Sequence, residues 1–203
     1  MSILKNKIIK FCGITAAVIT MAGACAKEVT ESKNGDNKLY LEAWLNTHFP
    51  NVKPTGLGIY ITDDQPGTGA SISDKDLYFF IRYTATDLDG NIGSTSEEKV
   101  AQQIGSYTKG NYYGPTVVLN SELATQAGIL DMIRGMKVGG TRTAVIPGWL
   151  NVTIDGDEGY ETGDDYFKNE SGTNVIYTIT LTDKTDDIHK WEIDSLERYT
   201  AHR

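Results

Sequence analysis

The chain has 203 residues, 27 acidic against 19 basic side chains, a formal charge of -8 and 39% hydrophobic residues. That length suits one domain of ordinary size, and so acidic a surface is repelled by phosphate backbones, which excludes nucleic acid as a partner. The two cysteines, Cys12 and Cys25, exclude a disulfide-stapled scaffold.

The amino end places Lys5, Lys7 and Lys10 ahead of an apolar run from Phe11 to Met21, followed by Ala22-Gly23-Ala24-Cys25. A basic region, a short apolar region and small residues in that order predict a signal peptide over residues 1–24. The apolar run is about half the ~20 residues a spanning helix requires, so cleavage is expected rather than retention. The segment Ala22 to Cys25 resembles a bacterial lipobox, with Ala22 where that motif usually has Leu. The resemblance implies an exported lipoprotein, acylated on Cys25 and anchored to a membrane with its domain on the periplasmic or cell-surface side. An ordinary signal peptide cut near Ala24 or Ala26 is the other reading. Loss of residues 1–24, with three lysines and no acid, takes the charge from -8 to -11 and removes Cys12. Residues 25–37 are polar and read as a flexible tether.

From Lys38 to Phe49 the apolar residues Leu41, Trp44, Leu45 and Phe49 recur at helical spacing, with Asp36 or Asn37 available as N-cap and Pro50 as a stop. Leu57, Ile59 and Ile61 alternate in a half-buried strand, Gly56 to Asp63, and Gln65-Pro66-Gly67-Thr68-Gly69 forms a turn. The aromatic, β-branched run from Leu77 to Thr86 predicts a long strand that ends at the turn signal Asp89-Gly90. A helix is predicted over Ala124 to Met136 with Ile129, Ile133 and Met136 on one face, then strands over Thr141 to Ile146 and Val175 to Leu181. Ile188, Trp191, Leu196 and Tyr199 form a closing helical stripe. Several strands, one embedded helix and no βαβ rhythm predict an α+β domain with an antiparallel sheet and a helix at each end.

Three segments in fixed order resemble the FKBP-type peptidyl-prolyl cis-trans isomerases. They are Tyr83-Thr84-Ala85 with Leu88-Asp89-Gly90 and Ser94-Thr95-Ser96; Gly128 to Gly140 closing in Gly135-Met136-Lys137-Val138-Gly139, followed by Val145-Ile146-Pro147; and Val175 to Leu181. Thr55 to Tyr60 and Gly67-Thr68-Gly69 are similar to the opening strand and turn of exported bacterial members. The resemblance covers about residues 55–183 and implies a twisted antiparallel sheet of five or six strands wrapped across one short helix. The expected organisation is a signal peptide over 1–24, lipidated cysteine and tether over 25–37, a helix and lead-in over 38–54, an FKBP-like domain over 55–187, and a C-terminal helix over 188–203.

Rotation about a prolyl peptide bond must overcome a barrier of roughly 18–20 kcal/mol and needs no nucleophile. An apolar pocket that strips water from the amide and favours its twisted state suffices. Carried over by position, the resemblance assigns the substrate pocket to Tyr83, Ile92, Gly93, Ser94, Ile129, Asn151 and Tyr177, and no catalytic side chain is singled out. Tyr83 and Tyr177 keep aromatic walls. Gly93 and Ser94 replace the wall Phe-Asp pair, with Ile92 as the neighbouring apolar side chain, Ile129 replaces the floor tryptophan, and Asn151 stands where a tyrosine hydroxyl would reach the peptide. The result is an eroded pocket, predicting a folding helper of weak isomerase activity on X-Pro polypeptides. The alternative is a non-catalytic module that binds a peptide, an envelope protein partner or a glycan.

Tyr107, Tyr112, Tyr113, Gly114 and Pro115 mark a long insertion, read as a loop on the sheet edge, with Tyr112 and Tyr113 as an accessory binding pair. Residues 151–174 form a second, acidic insertion. Its acids start at alternate positions, but Gly159 and Tyr160 fall where a calcium loop needs a ligand and a turn glycine, so a solvated flap is expected. His48, His189 and His202 fit no ligand or triad spacing. Neither a metal nor a cofactor is expected.

Overall fold

The computed structural model describes residues 34–121, 124–154 and 159–201. The signal segment, Cys25, His202 and the acids Asp155, Asp157 and Glu158 lie outside the described residues.

Helix α1, Gly35–His48, buries Leu41 and Leu45, one turn apart, and half-buries Trp44, whose indole N–H donates to the Leu88 carbonyl at 2.9 Å. It begins ahead of the expected Lys38, with Asn34 at the N-cap position and no side-chain cap. The polar residues at this end serve tertiary contacts instead. Asn34 Nδ2 donates to the carbonyls of Phe167 and Glu170, and Asn37 Nδ2 donates to that of Gly172 at 2.9 Å.

Among the described residues six strands form one antiparallel sheet: β1 (Tyr60–Gln65), β2 (Tyr78–Thr86), β3 (Ile92–Thr95), β4 (Thr116–Leu119), β5 (Thr141–Ile146) and β6 (Val175–Thr185). The order is β1-β5-β6-β2-β3, and β4 pairs with the first half of β2. This is the α+β architecture implied by the sequence, six antiparallel strands over a short buried helix. The opening strand lies later than Gly56 to Asp63, because Thr55 to Gly58 is a turn in which Thr55 Oγ1 accepts the N–H groups of Gly58 and Ile59. The Gly67-Thr68-Gly69 turn exists because it packs backbone to backbone on residues 137–140, where a Cβ on Gly67 would collide with the Val138 carbonyl and the Gly140 amide.

Helix α3, Ala127–Ile133, is shorter than the expected Ala124 to Met136, and every one of its residues is buried. Seven residues cannot hold a helix alone in water, so packing must hold it. Met132, Ile133 and Ile129 meet the sheet residues Ile179, Leu181 and Ile146 in one core. Truncating a side chain such as Ile133 there costs about 2–5 kcal/mol. The open carbonyls at its C-terminal end are met by the buried Arg142 of β5, whose Nη1 donates to Met132 at 2.7 Å and to Arg134 at 2.9 Å. Its Nη2 pairs with Asp64 at 2.9 Å.

Both insertions contain elements beyond the loops expected from sequence. The first holds helix α2, Glu98–Gln103, and edge strand β4. The second, which follows a 3-10 turn at Gly148–Leu150, holds helix α4, Gly163–Asn169, started by Asp165, whose Oδ2 accepts the N–H and hydroxyl of Thr162 at 2.9 and 2.8 Å. Tyr166 of α4 is fully buried and Phe167 packs edge-on against Trp149 at 5.0 Å, so this segment is part of the core rather than only a solvated flap. Helix α5, Ile188–Ala201, closes the described chain and buries no residue.

Candidate functional site

Cross-strand register builds the site. Ala85 of β2 is paired with Ser94 of β3 on one side and with Tyr177 of β6 on the other, and Tyr177 is paired in turn with Ala144 of β5. Residues so paired project to the same face of a sheet. The small residues Ala85, Gly93 and Ser94 lie beside Tyr177 around a depression. It measures about 350 Å³ and is walled by Ile92, Asn151, Val175 and the turn residues Asp87 and Asn91. Thr86, Thr173 and Asn174 complete its lining.

Of the residues assigned from sequence, Ile92, Gly93, Ser94, Asn151 and Tyr177 line this one cavity. Tyr83 is not among the lining residues; its ring lies 6.1 Å from that of Tyr177 and is tilted by 49°. The Ser94-Thr95-Ser96 segment fixes Tyr83 by its backbone: Ser96 Oγ accepts the Tyr83 N–H at 2.8 Å, and the Ser96 N–H and Thr95 hydroxyl donate to the Tyr83 carbonyl at 2.9 and 3.1 Å. Ile129 is in the core on α3 and does not line the cavity. Tyr112 and Tyr113 are also away from it. Tyr112 is 76% exposed, whereas Tyr113 stacks on Tyr107 at 5.4 Å and its hydroxyl accepts the Thr108 N–H at 2.9 Å.

Burial pushes the Tyr177 phenol above its ordinary value, and the neighbouring Tyr83 adds to this, so the hydroxyl stays a neutral donor through the physiological range. Asp87 behaves oppositely. The side chain of Asn91, then its backbone N–H, donate to the Asp87 carboxylate at 2.8 Å and hold it below its ordinary value despite some desolvation. Gly90 closes this turn at φ 87°, a conformation that suits glycine. Asn151 Oδ1 is buried and has no hydrogen-bond partner among the described residues, so the site holds one unsatisfied polar end of an amide.

Asp87, Asn91, Thr173 and Asn174 were not assigned from sequence. The turn signal Asp89-Gly90 located Asp87 and Asn91 without showing that they face a cavity, and nothing local marks Thr173 or Asn174. Among the described residues no group of three or more His, Cys, Asp or Glu side chains is placed to hold a metal ion, and no helix is long and apolar enough to cross a membrane.

No family model matches the sequence, and no curated protein matches it. Among solved structures the chain is similar to FkpA from Escherichia coli, at 16% identity and a TM-score of 0.48, covering 89% of this chain and 72% of that one. It is similar to a peptidyl-prolyl cis-trans isomerase from Pseudomonas syringae pv. tomato, at 21% identity and a TM-score of 0.49, covering 79% of this chain and 98% of that one. It is also similar to AtFKBP13, at 16% identity and a TM-score of 0.44, covering 66% of this chain and 99% of that one.

Proposed function

We propose that this protein is a prolyl-isomerase-type folding helper, acting on X-Pro segments of other polypeptides from a lipid anchor at Cys25. The observation that carries this reading is the convergence of Ile92, Gly93, Ser94, Asn151 and Tyr177 on one cavity, residues drawn from β3, β6 and the turn after β5. The Tyr177 ring and Ile92 offer apolar surface to a prolyl ring, and the Asn151 amide offers a hydrogen-bonding group to a peptide unit. Such a cavity would act by desolvating the amide and favouring its twisted form, with no covalent step.

The same lining supports weak activity. Gly93 and Ser94 bring no ring, and Ile129 is buried on α3 instead of flooring the cavity. A second reading, a non-catalytic binding module, is favoured by the polar share of the lining, namely Thr86, Asp87, Asn91, Ser94, Asn151, Thr173 and Asn174. A protease-coupled assay with an alanyl-prolyl peptide, on the detergent-solubilised full chain, tests the first reading. Acceleration abolished by Tyr177→Ala supports it; binding of the peptide with no acceleration supports the second. For the anchor, intact-mass analysis is expected to show an acylated Cys25 at the amino terminus, and an unmodified cysteine would exclude it.

A further inference from the structure

Among the described residues the lining of the cavity carries one charged side chain, Asp87, and no Lys or Arg. The carboxylate is fixed in place, because the N–H groups of Asp89 and Asn91 reach Oδ1 at 3.0 and 2.8 Å and Asn91 Nδ2 reaches Oδ2 at 2.8 Å. Oδ1 is thereby filled by two donors, while Oδ2 takes one and can accept another. The turn thus presents a preorganised anion at the mouth of a cavity whose other walls are neutral. Asp89, on the same turn, adds a second negative charge just outside the lining.

From this geometry we propose that Asp87 is a specificity-determining residue: it selects prolyl segments that carry Lys or Arg next to the proline over segments that carry Glu or Asp there. This rests on the folding-helper reading above. A cationic side chain beside the proline reaches a fixed carboxylate without paying for its ordering, and an anionic one meets like charge at the entrance. The interaction is at the solvent edge, so it falls with added salt.

The test compares three peptides, identical except for Lys, Ala or Glu before the proline, by kcat/KM on the full chain in neutral detergent. The expected result is acceleration of all three, with Lys favoured over Glu by about threefold, in the range of an exposed ion pair, and less at high salt. Asp87→Asn keeps an oxygen for the turn amides, with the Asn91 amide turned over to match, and removes the charge. It is expected to abolish the preference, whereas Asp89→Asn retains most of it. Acceleration with no preference, a preference unchanged in Asp87→Asn, or equal loss in Asp89→Asn would each overturn the assignment to Asp87 while leaving the isomerase reading intact. No acceleration of the alanyl peptide overturns both.

Discussion

The side-chain carbonyl of Asn174 accepts a hydrogen bond from the backbone N–H of Gly148 at 2.9 Å, while its Nδ2 donates to the Asn37 carbonyl at 3.2 Å. One buried amide therefore joins the turn after β5, the approach to β6 and the first turn of α1, and it does so on the wall of the candidate site. Gly148 is required at this junction because its backbone crosses that of Gly172 so closely that a Cβ would collide with the Gly172 carbonyl.

Replacing Asn174 with alanine leaves the Gly148 N–H buried without its acceptor, which costs about 1–3 kcal/mol. Asn174→Ala is expected to lower the midpoint of urea unfolding and to weaken binding of a prolyl peptide, with both read on the same preparation. Unchanged stability would show that water replaces the amide.

Tyr177→Phe keeps the ring between Ala85 and Ala144 and should retain most of any isomerase activity, whereas Tyr177→Ala should lose at least about tenfold, since it removes a ring's worth of desolvating surface. Equal losses in the two variants would move the role from the ring to the hydroxyl.

Asp76 gives a pH prediction. Burial pushes its carboxyl up, but the hydrogen bond from Lys184 Nζ at 2.6 Å and those from Ser73 outweigh it, leaving the group below its ordinary value. A carboxyl depressed in the folded state contributes stability that is fully present above its unfolded value, about pH 4, and is lost as the pH falls through the folded one. Asp76→Asn should therefore destabilise the domain at pH 7, by about 3 kcal/mol if Lys184 is left buried and unpaired, and by less at pH 3, where the contribution has begun to be lost. Parallel denaturant titrations at the two pH values check it.

Trp191 attaches helix α5. Its ring stacks on Phe80 at 3.9 Å with an interplanar angle of 19°, and its Nε1 donates to Asp183 at 2.7 Å. Trp191→Ala is expected to free the helix, seen as rapid amide exchange over residues 188–201 with the sheet still protected. Continued protection of the helix would require another attachment.

The parts of this fold legible in sequence are those whose signal is local. Tyr78 to Thr86 reads as a strand from its own aromatic and β-branched side chains, and Thr141 to Ile146 from its β-branched Thr, Val and Ile residues. Strand β4 is different: Thr116 to Leu119 follows a run rich in Tyr, Gly and Pro and becomes a strand because the first half of β2 offers it a free edge. In α4 the acids Asp164 and Asp165 obscured Tyr166, which is fully buried with its ring 4.7 Å from that of Tyr160, although Thr162 and Asp165 have capping-box spacing. The site divides in the same way. Tyr177 was found through its strand, whereas Asn174 and Thr173 face the cavity through packing between segments distant in sequence, which no local pattern records.

The contacts of Asn34 give the domain a mechanical polarity. Its side chain is fully buried and tied to the carbonyls of Phe167 and Glu170, and Asn37 is tied to Gly172, so the first described residues are knotted into the segment that runs on to Thr173 and Asn174. A load applied at the amino end would enter through that segment and reach the rim of the cavity before it reached the sheet. Strain along the chain and occupancy of the cavity would then draw on the same few hydrogen bonds.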